Sequence, residues 1–276
     1  MKKVVSYANC QAKNVLRILS THPILAKEYD FDNATILSNF GLIQGKQTIP
    51  YSEIESADLF LYQPTSDNHG PYATSQLLLH CKPSCVKISF PYLYNYAFWE
   101  ILVFADGDYA VGHSAPRYVH LSHNPIIKLK EKDVPFSEIE KQIVNRTFDW
   151  EFDVRYRETQ AILRNKEAEC DVKVADFIDA HHKDVVLFYT QNHVATPLLK
   201  HIADQVTSLL GENPSLFPSE VPPPDYAPNY SGAELPIGWF AWKHYGFAFM
   251  KEPEPDTIHF ILYHAKQIYD GKHVNF

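Results

Sequence analysis

The chain has 276 residues, 45% of them hydrophobic and 21% charged, and carries a net charge of −8. That composition belongs to a folded globular protein, one large domain or two small ones, and the acidic balance argues against a general nucleic-acid binder. The four cysteines (Cys10, Cys81, Cys85, Cys170) do not form a disulfide framework, and no apolar run approaches the roughly twenty residues of a membrane span. The apolar run behind the two N-terminal lysines breaks at Asn9, too early for a signal-peptide core. The expectation is a cytoplasmic protein with reduced thiols.

Taken in order, Val4, Val5, Tyr7 and Ala8 predict a buried strand, and Val15, Leu16, Ile18 and Leu19 recur at helical spacing behind it. Asn9 and Cys10 therefore stand where a strand hands over to a helix N-terminus. That junction attracts anions and lowers the pKa of a thiol, so Cys10 is a candidate nucleophile beside its plainer reading as a structural cysteine. Ala34–Ser38 predicts a second strand, Ile49–Ala57 a short helix and Leu59–Pro64 a third strand. Thr65–Tyr72 reads as a loop, Ser75–His80 as a short helix and Cys85–Phe90 as a fourth strand. The aromatic tract Pro91–Trp99 follows, and residues 102–110 and 112–120 read as irregular.

From Pro135 the texture becomes helical. Ser137–Asn145 and Asp149–Glu169 predict helices, the second with Phe152, Val154, Ile162 and Leu163 on its buried side. A short helical turn at 176–178 precedes Asp184–Tyr189 (DVVLFY), which reads as a buried strand, and Pro197–Leu210, an amphipathic helix with Gly211 just past its end. Pro214–Pro236 is too rich in proline for a regular element, and Asp256 is expected to cap a last helix through Ile268, with Ile258, Ile261, Leu262 and Ala265 inward. Strands alternating with helices predict an α/β fold with a parallel sheet and flanking helices, in a flavodoxin-like or SGNH-like layout. The expected organisation is a core at 1–211 with a helical insertion at about 135–182, and a covering extension at 212–276.

Two strand-to-helix junctions share a plan, Asn9-Cys10-Gln11 and Thr190-Gln191-Asn192-His193. In a parallel sheet both fall at the same edge, which would let a thiol and an imidazole meet as nucleophilic catalysis requires. A capping or solvated histidine is the plainer reading of His193. Cys81 and Cys85 have the spacing of half a zinc site, with no second pair to complete it. His181-His182 reads as an exposed polar turn; His113, Ser114 and Arg117 form a polar loop with nothing to tie them to Cys10. P-loop and GxGxxG signatures are missing from the sequence.

NCQAxxxLxxL after the first strand, ADLFLYQP at Ala57–Pro64, and the late block DFI…VLFYTQNHxxxPLLxxIA…LLG resemble the WcbI-type capsular polysaccharide biosynthesis proteins. The resemblance covers most of 4–211. It implies coenzyme A binding and, with acetyl-coenzyme A as donor, acetyl transfer to a sugar hydroxyl of a capsule precursor. The family pattern sets proline directly after the late histidine; here Val194 follows His193 and Pro197 comes later. A weaker likeness in layout links the chain to SGNH-type esterases, with Cys10 in the serine's place and Thr190 where a carboxylate should stand. Thr190 cannot stabilise an imidazolium as a carboxylate does. A non-catalytic coenzyme A-binding assembly protein is the third reading.

Under the acetyltransferase reading His193 is the general base, acting on the acceptor hydroxyl or on Cys10. Backbone N–H groups of Cys10 and Gln11 hold the oxyanion. Asn9 and Asn192 orient the ring or hold the oxyanion, while Lys13, Lys87 and Arg155 are candidate phosphate contacts beside their plainer reading as solvated surface charges. Gln63, Thr65 and Ser66 are placed to orient the pantetheine amides. Tyr92, with Tyr94, Tyr96 and Trp99, is a candidate for stacking on adenine or sugar, although packing is the commoner fate of such rings.

Overall fold

The computed structural model describes residues 1–45, 48–100, 124–227 and 237–271. Residues 102–110 and 112–120, with His113, Ser114 and Arg117, lie outside the described residues. By internal contacts the chain divides into two compact units. The first comprises Met1–Leu93, Ile162–His181 and Leu187–Ala233; the second comprises Tyr94–Ala161, His182–Val186 and Glu234–Phe276.

The first unit is built on a four-stranded sheet in the order β2-β1-β3-β4, with β1 Lys2–Ala8, β2 Tyr29–Ser38, β3 Leu59–Tyr62 and β4 Val86–Ser89. Every neighbouring pair is parallel. Val4 to Ala8 are all buried, as expected of a central strand with both faces covered. The register pairs Ala8 with Ser38, Tyr7 with Tyr62 and Tyr62 with Ser89, so the strands' carboxyl ends form a single edge. The α/β fold with a parallel sheet is thus as the alternating pattern predicts.

Helix α1, Cys10–Leu19, buries Val15, Leu16, Ile18 and Leu19 and packs against the helix Thr196–Leu209. That second helix carries Pro197 in its first turn, and Gly211 takes a left-handed φ of 85° just past its end, a conformation that costs glycine little. Asp67–Tyr72, expected to be loop, is a 3₁₀ segment interrupted at Gly70. In the proline-rich stretch the described residues hold a single 3₁₀ turn, Pro214–Leu216.

The expected strand at Asp184–Tyr189 is not part of the sheet among the described residues. Phe188 instead bridges antiparallel to Val194, with Tyr189 N donating to His193 O at 2.8 Å and Ala195 N to Leu187 O at 2.8 Å. An apolar, β-branched run reads alike whether it pairs with a sheet or folds back on its neighbour, because side-chain pattern does not reveal the partner.

In the helix Phe152–Glu167 the expected inward face is half right. Phe152 and Leu163 are buried, but Val154 and Ile162 are 37% and 39% exposed, while Arg155, Thr159, Gln160 and Glu167 are buried. These polar side chains are admitted because many of their polar atoms find partners. Arg155 Nη2 donates to the carbonyls of Tyr96 and Trp99, and Glu167 Oε2 accepts from the N–H groups of Val174 and Ala175, at the start of the helix Ala175–His181.

The core of the second unit is aromatic. Phe98 stacks on His182 (ring centroids 5.6 Å, planes 4° apart) and meets Tyr245 and Phe247 edge-on. Tyr96 and Trp99 are buried, the packing fate expected of most rings in their tract. Glu100 is buried beneath the helix Trp239–Tyr245, its two carboxylate oxygens accepting from Gly238 N at 3.0 Å and Ala241 N at 2.8 Å. Burial pushes its pKa up against those bonds. The helices Pro125–Glu131 and Phe136–Val144 both pack on the last helix, Asp256–Tyr269. Its N-cap is Pro255 without a side-chain bond, not Asp256; Ile261, His264, Ala265 and Ile268 are buried, with Ile258 and Leu262 half-buried. No helix among the described residues is long and apolar enough to cross a membrane.

Candidate functional site

The connection after β1 runs to β2 on one side of the sheet, and the connection after β3 runs to β4 on the other. Such a switch point between β1 and β3 is where open α/β sheets place a crevice at the strands' carboxyl ends. Asn9 and Cys10 follow β1 there, and Gln63 follows β3. Asn9 is the N-cap of α1: its backbone is extended (φ −78°, ψ −167°) and its Oδ1 accepts from Gln11 N at 3.0 Å. Cys10, the first residue of the helix, is exposed.

Two buried amides knit this edge together. Gln63 accepts from Asn9 N through Oε1 (3.0 Å) and donates through Nε2 to Gln11 Oε1 (2.9 Å) and Pro91 O (3.3 Å). Gln11 in turn donates through Nε2 to Leu93 O (2.8 Å) and to Asn192 O (2.9 Å), and its Oε1 accepts from Leu93 N. The histidine-bearing turn therefore reaches the end of β1 through a side-chain amide, not through a shared sheet. Within that turn Thr190 Oγ1 donates to Asn192 Oδ1 and accepts from His193 N.

The His193 ring lies flat on Tyr226 (centroids 4.4 Å, planes 13° apart), whose hydroxyl donates to Val194 O at 3.0 Å. His193 Nδ1 is buried and has no hydrogen-bond partner among the described residues. Next to Tyr226, Asp225 accepts from Lys13 Nζ at 2.6 Å and Asn14 Nδ2 at 3.0 Å. The Asp225 carboxylate acts electrostatically on both the Cys10 thiol and the His193 ring. Thiol and imidazole thus answer to one carboxylate.

The expected lowering of the thiol pKa by the helix N-terminus does not prevail. Crowding by the surrounding protein, then the charge of Asp225, pushes the Cys10 pKa up. His193 moves down, because burial disfavours the imidazolium more than Asp225 favours it. Asp225 itself is held below the usual carboxylate range: burial works against ionisation, and the bonds from Lys13 and Asn14 outweigh it. At neutral pH the site therefore holds a thiol, a neutral imidazole and a carboxylate.

Other expected residues have different employment. The N–H of Gln11, expected to hold an oxyanion, donates to Asn9 Oδ1. Lys13 is bound to Asp225. Lys87 stands near the amino end of β4, away from the Cys10 edge, with Nζ 3.5 Å from Cys85 O. Arg155 belongs to the second unit and is no surface charge: it is 1% exposed, and burial lowers its pKa to about 10. Thr65 closes the turn after β3, its N–H on Thr74 Oγ1 and its Oγ1 on Gln63 O; Ser66 is exposed beside it. Tyr92 carries Lys166 Nζ over its ring at 4.9 Å. The Cys81 and Cys85 thiols act on each other, which raises the pKa of the first and lowers that of the second, and Cys85 Sγ donates to Val86 O at 3.5 Å. His182, expected in an exposed turn, is buried and takes a hydrogen bond with Tyr156 Oη through Nδ1 (3.3 Å). Asp225 and Tyr226 escaped the sequence reading; the sole signal was an acid and a ring following three prolines in PPPDY.

A parallel α/β sheet with a helix N-terminus bearing an exposed thiol at its switch point defines the class: an α/β protein whose ligands belong at the carboxyl edge of the strands. The chain belongs to the WcbI family, polysaccharide biosynthesis enzymes, whose family model matches residues 3–215. The resemblance carried by the three motifs therefore holds. Among solved structures it is similar to WcbI itself, with a TM-score of 0.71 at 19% identity over 98% of this chain and 90% of that one. That structure is described as a novel polysaccharide biosynthesis enzyme, the native protein without a disulfide bond between coenzyme A and one of its cysteines. No curated protein matches the chain.

Proposed function

We propose that the chain binds coenzyme A at the Cys10 edge and transfers an acetyl group from acetyl-coenzyme A to a sugar hydroxyl in the biosynthesis of a capsular or other surface polysaccharide. The observation that carries this reading is that one carboxylate, Asp225, acts on both the exposed Cys10 thiol and the His193 ring, in a chain of the WcbI family. The description of the similar structure names coenzyme A together with a cysteine, which supports coenzyme A as the ligand. The exposed Cys10 thiol fits its pantetheine end. Lys13 meets a phosphate only by leaving Asp225.

Bound acetyl-coenzyme A supplies an activated thioester. His193, neutral at pH 7, accepts the proton of the acceptor hydroxyl as its oxygen attacks the thioester carbonyl, and the N-terminus of α1 faces the charge that develops. The C–S bond then breaks and coenzyme A leaves as the thiol, taking the proton from His193. Gln11 and Gln63 hold the thiol-bearing helix and the histidine turn in fixed relation. The raised pKa of Cys10 favours direct transfer over an acyl-cysteine, since the thiolate is scarce at neutral pH.

Titration calorimetry with coenzyme A, followed by an acetyl-transfer assay on saccharide acceptors, tests the reading. Coenzyme A at a hundred times its dissociation constant should stabilise the protein by about 2.7 kcal/mol. His193→Ala should retain binding and lose transfer. No binding at millimolar coenzyme A overturns the proposal; binding without transfer to any acceptor leaves an assembly protein in its place. Release of nitrophenol from a short ester, abolished by Cys10→Ala, would favour the esterase.

A further inference from the structure

We propose that Asp225 is the carboxylate of the Cys10–His193 site, a positioning residue delivered by the proline-rich segment and held in place by Lys13 and Asn14. The proposal rests on the reading of Cys10 and His193 as the reacting pair and names the acid that the late block lacks. Thr190 occupies the position where a triad would carry an acid, and its hydroxyl is committed within its own turn.

The fastening of Asp225 is specific. Lys13 Nζ and Asn14 Nδ2 bind its two carboxylate oxygens, at 2.6 and 3.0 Å, and its own N–H donates to Asn14 Oδ1 at 2.9 Å. Two residues earlier Arg17 Nη1 donates to Pro223 O at 3.1 Å. One residue later Tyr226 backs the His193 ring and bonds Val194 O. Residues 223–226 thus bind α1 through one set of contacts and the histidine turn through another, with the carboxylate between them in sequence.

Among the described residues Lys13 and Arg17 from α1 act on this carboxylate, and it acts in turn on the Cys10 thiol, His193 and Tyr226, the last also acted on by Tyr189. An anion here favours the protonated form of both reacting groups: it disfavours a thiolate at Cys10 and favours an imidazolium at His193. Asp225 therefore keeps the proton on sulfur while stabilising the imidazolium that forms when His193 takes a proton from an acceptor hydroxyl. It directs the base toward the acceptor and away from the cysteine.

The test reads Cys10 alkylation by iodoacetamide, located by peptide mass spectrometry, in the full chain across pH, so it is independent of any transfer activity. Asp225→Asn removes the charge and should speed alkylation at neutral pH roughly three-fold, the scale of one charge acting through solvent-lined protein. Lys13→Met leaves the carboxylate uncompensated and should slow it about two-fold. Asp225→Glu keeps the charge and should stay near wild type. His193, followed by NMR, should titrate lower still in Asp225→Asn. If Asp225→Asn and Lys13→Met both speed alkylation, Asp225 is only a latch and the proposal is wrong; unchanged rates in both also overturn it. Should Asp225→Asn fail to fold, slowing by Lys13→Met with wild-type behaviour in Asp225→Glu supports the assignment, and acceleration by Lys13→Met defeats it. Failure to transfer acetyl in an otherwise confirmed series would count against the acetyltransferase reading alone.

Discussion

Gln63 and Gln11 share a buried amide hydrogen bond, Nε2 of the first donating to Oε1 of the second at 2.9 Å, and between them they bind the backbone at Asn9, Pro91, Leu93 and Asn192. Each amide leaves several buried groups unpaired when removed. Gln11→Ala and Gln63→Ala should each cost about 1–3 kcal/mol in urea unfolding. Because they share partners, the double variant should lose less than the two added together, by roughly 1 kcal/mol. Strict additivity would show that the amides do not act as one network.

The neutral His193 sets the acid side of any transfer activity. Its pKa is lowered by burial, so the base form prevails through neutral pH and is lost only as pH falls below the ordinary histidine range of about 6.5. The acid limb of a kcat/KM profile should therefore lie below that value and shift further down in Asp225→Asn. An acid limb above 7 would contradict the burial of the ring.

The Cys10 thiol behaves in the opposite way. Its pKa is raised by crowding and by Asp225, so its alkylation rate should continue to climb past the pH at which a free cysteine levels off, near 8.5. A plateau below pH 7 would mean that the helix N-terminus dominates.

Asn9 contributes through its cap. Asn9→Ala removes the bond from Gln11 N to Oδ1 and should cost about 1 kcal/mol, with little change on replacement by Asp or Ser. Equal losses in all three variants would assign Asn9 a different role.

Gly238 sits against the buried Glu100. A methyl group there would come within 2.6 Å of both carboxylate oxygens and of Ile261 Cδ1, so Gly238→Ala should destabilise by about 1–3 kcal/mol in urea unfolding. A neutral outcome would mean that Glu100 moves aside without losing the N–H groups it caps.

These residues also mark where sequence reading succeeds and where it stops. The first strand and α1 were legible because the apolar period changes at Asn9-Cys10, and a change of period is a local signal. So was the place of Gln63 at the end of its strand, though not that its amide is spent on Asn9, Gln11 and Pro91. The Phe188–Val194 hairpin was not, since its apolar residues say nothing about which backbone they pair with. Arg155 and Glu167 were hidden because partly satisfied polar side chains look like surface on a helical wheel. Asp225 was hidden for a further reason: a proline-rich segment has no period, so nothing local announces which of its side chains returns to the sheet edge.

The span matched by the family ends at residue 215, ten positions short of Asp225. A fragment trimmed to that boundary would display Cys10 and His193 yet lack both the acid that faces them and the tyrosine that backs the imidazole. Its cysteine should prove more reactive than in the intact chain, and its histidine would lose the burial that lowers its pKa along with the carboxylate that raises it, so expression of the minimal matched region would yield a misleading picture of the chemistry.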